Sequence, residues 1–100
     1  MKRLRIREEA RAELLRETSY YEAKGQGAGK RFLEAVAASF DLIRRFPTGG
    51  APGPMATRKS KVRGFPFTVV YRDEPEEVVL FAIASDRQQP GYWLQRAGDE

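Results

Sequence analysis

Five cations, Arg58, Lys59, Lys61, Arg63 and Arg72, fall between positions 58 and 72 with no Asp or Glu among them. On an extended strand, side chains at i, i+2 and i+4 point the same way. Lys59, Lys61 and Arg63 therefore project together, with Ser60 and Val62 opposite. Like charges in such a row repel by roughly 0.2–1 kcal/mol for close neighbours. An anion relieves that repulsion, whether a phosphate backbone, an acidic partner, or water and salt. The chemistry these residues could carry is attack on a phosphodiester by its own 2′-hydroxyl, which needs a base, an acid and charge on the phosphate. Lys59, Lys61, Arg63 and Arg72 could supply the charge and Tyr92 the proton. A Lys acting as base must titrate well below about 10.4, which burial or neighbouring cations bring about. The sequence holds these groups but does not show that they converge, so it assigns no firm catalytic set.

Other chemistries are excluded by composition. The chain has no Cys and no His, so zinc sites built on thiolate or imidazole and His-activated nucleophiles are absent. No metal or cofactor is expected. Aromatic residues lie among the cations, and base stacking on such rings contributes roughly 1–3 kcal/mol each. Phe67 and Tyr71, however, occupy the inward alternation of a strand and read as core. Tyr92 and Trp93 either lock the tail onto the sheet or anchor an interface.

The elements that must position these residues follow from periodicity. The segment KRLRIR (2–7) alternates basic with apolar, a short strand with Leu4 and Ile6 facing in. From Glu8 the period changes. Ala10, Leu14, Thr18 and Tyr21 recur at three- and four-residue steps, which predicts an amphipathic helix over about 8–24 with Glu13 and its charged neighbours on the outer side. GQGAG (25–29) ends it as an interhelical turn; no strand precedes it and no Lys-Ser or Lys-Thr pair follows, as a phosphate loop requires. Phe32, Val36, Phe40 and Ile43 mark a second helix that stops at Phe46-Pro47. Arg44 and Arg45 suit the negative end of its dipole. PTGGAPGP (47–54) reads as an irregular loop. Strands are expected over about 57–63, 67–72 and 78–84, the last apolar throughout and buried on both faces.

The order strand, helix, helix, three strands gives an α+β fold, βααβββ, with an antiparallel sheet and a helical hairpin on one face. At 100 residues this is a single domain, expected over 1–95, with 96–100 as a frayed tail. No apolar run approaches the ~20 residues that span a bilayer, and no signal-peptide core is present. Cytoplasmic residence and no membrane partner are the expectation. A net charge of +4 and a pI near 9.7 favour anionic partners.

Several motifs then fall in a distinctive order: YYE (20–22), KRFLEAV (30–36) after a Gly-rich turn, IRRFP (43–47), VRGFPFTVVYR (62–72) and DRQQPGYW (86–93). In this order the chain resembles the RelE/ParE superfamily of toxins from bacterial type II toxin–antitoxin systems, and FPF-x-VVYR with PGYW resembles the ParE, plasmid-stabilisation branch. The resemblance implies a toxin that causes growth arrest, is neutralised by a cognate antitoxin and inhibits DNA gyrase. It touches DNA only through the antitoxin. The RelE branch implies instead a ribosome-dependent mRNA interferase, and a third alternative is a non-toxic antitoxin-binding co-repressor module. Target binding is expected at Arg87, Tyr92 and Trp93. Antitoxin binding is expected at Tyr20, Lys59, Lys61 and Arg63, beside a groove between hairpin and sheet suited to an acidic amphipathic segment. Ser85 and Gln88 stand where many relatives carry a His and a second Arg.

Overall fold

The computed structural model describes residues 2–100. Strand β1 (Arg3–Ile6) leads through Arg7 into α1 (Glu8–Lys24). A tight turn joins it to α2 (Ala28–Arg45), and α1 and α2 pack on each other. The chain then forms β2 (Ala51–Pro52), a single 3-10 turn (Pro54–Ala56), β3 (Arg58–Lys61), β4 (Phe67–Asp73), β5 (Glu77–Ser85) and a closing helix α3 (Leu94–Gly98). The five strands form one sheet in the order β1-β5-β4-β3-β2. The α+β class and the helical hairpin are as the periodicity implies. Among the described residues, no helix is long and apolar enough to cross a membrane.

Three features differ from the sequence reading. The sheet is mixed, because β1 pairs parallel to β5 while the other pairings are antiparallel. The antiparallel rule applies to consecutive strands joined by short turns; β1 reaches its neighbour only after two helices and three other strands. The loop at 47–54 holds the short strand β2, paired antiparallel to β3 at Ala51 and Lys59. And the tail beyond Gln95 is not frayed: it completes α3, and Glu100 pairs with Arg5 at 2.5 Å and Arg7 at 2.6 Å. Both arginines lie near the start of the chain, so this fastening is invisible to local pattern.

The sheet buries both faces. Under the hairpin, Phe32, Val36 and Ile43 meet Val69, Tyr71 and Leu80. Tyr21 stacks on Phe32 with centroids 5.0 Å apart, and Phe65 and Phe67 meet them edge-on. The opposite face carries Val70, Val79, Phe81 and Ala82 beneath Trp93 and Ala97. Tyr71 is wholly buried; its hydroxyl donates to Pro47 O at 2.8 Å and accepts the Gly50 N–H at 3.1 Å. That pair of bonds closes the loop after α2.

A bulge explains how β5 serves both cores. Val70 pairs with Ala82 and Tyr71 with Leu80, which leaves Phe81 without a β4 partner. Phe81 and Ala82 consequently face the same core. The Phe81 carbonyl accepts Arg96 Nη1 at 2.9 Å, and the Ile83 N–H donates to Glu13 Oε1 at 3.0 Å. Glu13 is buried on the inner side of α1, contrary to its expected outward placement. It lies three residues after the buried Ala10, the spacing of an inward face. Its Oε2 takes Arg96 Nη2 at 2.9 Å and the Tyr92 hydroxyl at 2.8 Å.

Removing one partner of a buried ion pair leaves the other uncompensated, typically at about 3–5 kcal/mol. Glu13→Ala is expected to lose stability in that range by urea denaturation, because Arg96, Tyr92 and the Ile83 amide lose their acceptor together. A loss below about 1 kcal/mol, the range of an ordinary surface ion pair, would show that the network contributes little.

Candidate partner-binding surface

Strand β3 sets out the basic row. Lys59 and Lys61 are exposed, while Arg58 and Ser60 are half-buried. Arg58 is drawn inward because its Nη1 donates to Thr48 O at 2.9 Å and Gly50 O at 2.8 Å. Arg63 lies beyond the end of β3, in the turn before β4, and is exposed. Lys61 is not a free cation: its ammonium pairs with Asp86, which also accepts from Thr68 Oγ1 at 3.1 Å. The Lys61 contact holds the Asp86 carboxyl below its ordinary range, and the Thr68 hydroxyl adds to this.

Between α2 and this row runs a groove of about 410 Å³, lined by Ala35, Ala38, Leu42 and Phe46 with Lys61 and Arg63 on its rim. It continues into a second hollow of about 300 Å³ that shares Leu42, Phe46 and Lys61 and reaches Lys59 and Tyr71. Phe46 is 62% exposed and Leu42 54%. Pro47 ends α2 just where these side chains would need a further layer to cover them. Ser39 Oγ donates to Lys61 O at 3.3 Å and ties the two walls together. Asp41 and Arg45 pair at 3.1 Å along the outer rim. The result is an exposed apolar strip whose rim carries Arg63 and two cations already in ion pairs, Lys61 and Arg45.

The candidate catalytic groups do not converge. Arg72 lies beneath α3: its Nε pairs with Glu74 at 2.9 Å, its Nη1 donates to Met55 O at 3.0 Å, and its guanidinium stacks 5.0 Å from the Phe81 ring. Tyr92 donates to Glu13. Burial, reinforced by that carboxylate, pushes its hydroxyl far above the ordinary phenol range, so it is a poor proton donor at neutral pH. Lys61 is paired, and Arg63 lines the groove on the hairpin side. Lys59 also borders a shallow basin with Thr68, Val70, Gln88 and Tyr92.

Of the expected antitoxin contacts, Arg63 and Lys61 border the first hollow and Lys59 and Lys61 the second. Lys61, however, reaches Asp86, and Lys59 borders the basin beside Tyr92 on the sheet face away from the hairpin. Tyr20 borders neither hollow; it is exposed near the end of α1, with Lys24 Nζ 5.2 Å from its ring centroid. Arg87 is exposed. Trp93 is buried against the sheet and is therefore a fastening of the tail, not a surface anchor. Sequence reasoning missed Leu42 and Phe46, which belong to the apolar pattern of α2 and carry no local sign of being uncovered. It also missed Glu22. That carboxylate accepts the Gly27 N–H at 3.1 Å and the Gly29 N–H at 3.0 Å, filling the Gly-rich turn with an anion of the chain's own.

A small basic α+β domain, with a helical hairpin on a mixed sheet and an apolar groove beside α2, defines the class. The family model for the ParE toxin of type II toxin–antitoxin systems, parDE, matches residues 4–90. The chain belongs to that family. The fold is similar to a solved structure described as the chromosomal ParDE toxin–antitoxin system from P. aeruginosa, with a TM-score of 0.73 and 18% identity over 85% of this chain and 96% of that one. No curated protein matches this chain.

The Gly27 bond, followed by the Gly29 bond, lowers the Glu22 pKa. A depressed carboxyl contributes stability above its unfolded value, about 4.3, and loses it as pH falls through the folded value. Wild type should therefore exceed Glu22→Ala in stability at pH 7, and the gap should narrow as pH drops below about 4. Thermal melts of both proteins across that range check the sign; a gap constant with pH would remove the carboxylate from the explanation.

Proposed function

We propose that this protein is the toxin half of a toxin–antitoxin pair, that it inhibits DNA gyrase in the cytoplasm, and that a cognate antitoxin segment neutralises it by seating in the α2–β3 groove. The observation that carries the antitoxin reading is the exposed Leu42–Phe46 strip, with Arg63 on its rim and Lys59 and Lys61 along the β3 edge, on a chain of the ParE toxin family. An acidic amphipathic segment would bury its apolar stripe there and place carboxylates against the cations.

Inhibition by binding is favoured over RNA cleavage because the candidate catalytic groups are engaged elsewhere. Arg72 and Tyr92 hold the tail, Lys61 holds Asp86, and no imidazole is available. Target contact would then fall to exposed groups, Arg87 first, with Trp93 fixing the tail that carries it. A supercoiling assay with purified gyrase, run beside a translation-coupled mRNA cleavage assay, separates the alternatives. Loss of supercoiling without cleavage supports the reading. Site-specific mRNA cuts with supercoiling untouched would establish an interferase, and neither activity would leave an antitoxin-binding co-repressor module.

Phe46→Glu is expected to keep folding stability within about 0.5 kcal/mol, as exposed positions usually do, while reducing antitoxin affinity by about tenfold or more, a change near 1.4 kcal/mol. Lys59→Gln with Lys61→Gln should weaken binding and flatten its salt dependence. Calorimetry of the wild-type pair should give a large negative heat-capacity change. Unaltered affinity in Phe46→Glu would move the antitoxin site elsewhere.

A further inference from the structure

The two cores depend differently on the C-terminal segment. The core under the hairpin is closed by α1, α2 and the sheet, and neither Trp93 nor Ala97 belongs to it. The outer core is a smaller cluster in which Val70, Val79, Phe81 and Ala82 of the sheet meet Trp93 and Ala97 of the tail. The connection from β5 to this tail is exposed over 86–90, with Gly91 at a φ of +79°.

The tail's polar fastenings are mostly ionic. Arg96 reaches Glu13 and the bulge carbonyl of Phe81. Glu100 reaches Arg5 and Arg7, with side-chain exposures of 15% for Glu100 and 16% for Arg7. Arg72 bridges Ala97 O, at 3.4 Å, to Met55 O. Met55 and Ala56 both adopt positive φ, 60° and 61°, a left-handed conformation unfavourable for residues other than glycine. One guanidinium thus meets both the tail and a turn in left-handed conformation.

From this arrangement we propose that residues 91–100 form a strap over the outer sheet face, which opens as a unit while the hairpin core stays folded. Open, it uncovers the apolar row Val70, Val79, Phe81 and Ala82 beside Arg72. It also withdraws Arg96 from the Phe81 carbonyl, leaving the bulge of β5 free to bond to another chain. The device is a built-in cover on a surface distinct from the α2–β3 groove, and it stands whatever the toxin's target proves to be. Folded proteins open in such cooperative units below the global transition.

The chain carries one tryptophan, Trp93, so its emission reports strap docking alone. Urea titrations of the full chain are followed by Trp93 emission and by far-UV circular dichroism, for wild type and for Glu100→Gln. The emission transition is expected to precede the loss of helix. Glu100→Gln should move it to lower urea, raising the opening constant about fivefold, the upper range for a partly exposed ion pair, with the helical transition unmoved. Separation of the two signals in either protein supports the strap. Coincidence in both overturns it, and so does a separation that varies with protein concentration, which would mean exchange of tails between copies.

Discussion

A strand that is buried on both faces has no freedom to leave backbone groups unbonded, and β5 carries such a problem at its bulge. Past the end of β1, the Phe81 carbonyl and the Ile83 amide have no strand to bond with. Each buried orphan would cost about 1–3 kcal/mol. Glu13 and Arg96 answer both, one as acceptor and the other as donor, and their own pairing neutralises the charges. A carboxylate from α1 and a guanidinium from α3 thus stand where a further strand would have been. This ion pair links the hairpin on one face to the tail on the other.

That constraint also decides which chemical groups remain available. Tyr92, the candidate proton donor, gives its hydroxyl hydrogen bond to the Glu13 carboxylate, and burial together with that carboxylate pushes its pKa up. Arg72, the central cation of β4, is consumed in fastening α3 to the Met55 turn. Groups that could have gathered around a phosphate are spent on holding the outer layer. What is left exposed is an apolar groove with Arg63 on its rim.

The groove exists for a related reason. Helix α2 runs to Arg45, but β2 is a strand of two residues, too short to cover the last turn of the helix. Leu42 and Phe46 therefore lie over an unfinished sheet edge. Large apolar side chains left together in this way form the exposed patch on which the proposed antitoxin contact rests.

Much of the molecule was legible in the sequence because it depends on near neighbours. Stripe spacing placed α1 and α2, alternation placed β3 and β4, and Pro47 ended the second helix. The outward alternation of Lys59 and Lys61 is a property of extended backbone and survived intact. The ordered motifs from YYE to PGYW were enough to identify the family. Other features rest on residues far apart in the chain, where no local pattern carries information. Glu13 meets Ile83 across 70 positions and Tyr92 across 79. Its inward side on α1 has meaning only once the bulge lies opposite. The parallel pairing of β1, the ordering of the tail by Glu100 and the burial of Trp93 likewise follow from which surfaces meet. Periodicity can assign a side chain to a face; only the packed structure supplies the unpaired carbonyl, the ionic partner or the empty space that the face then encounters.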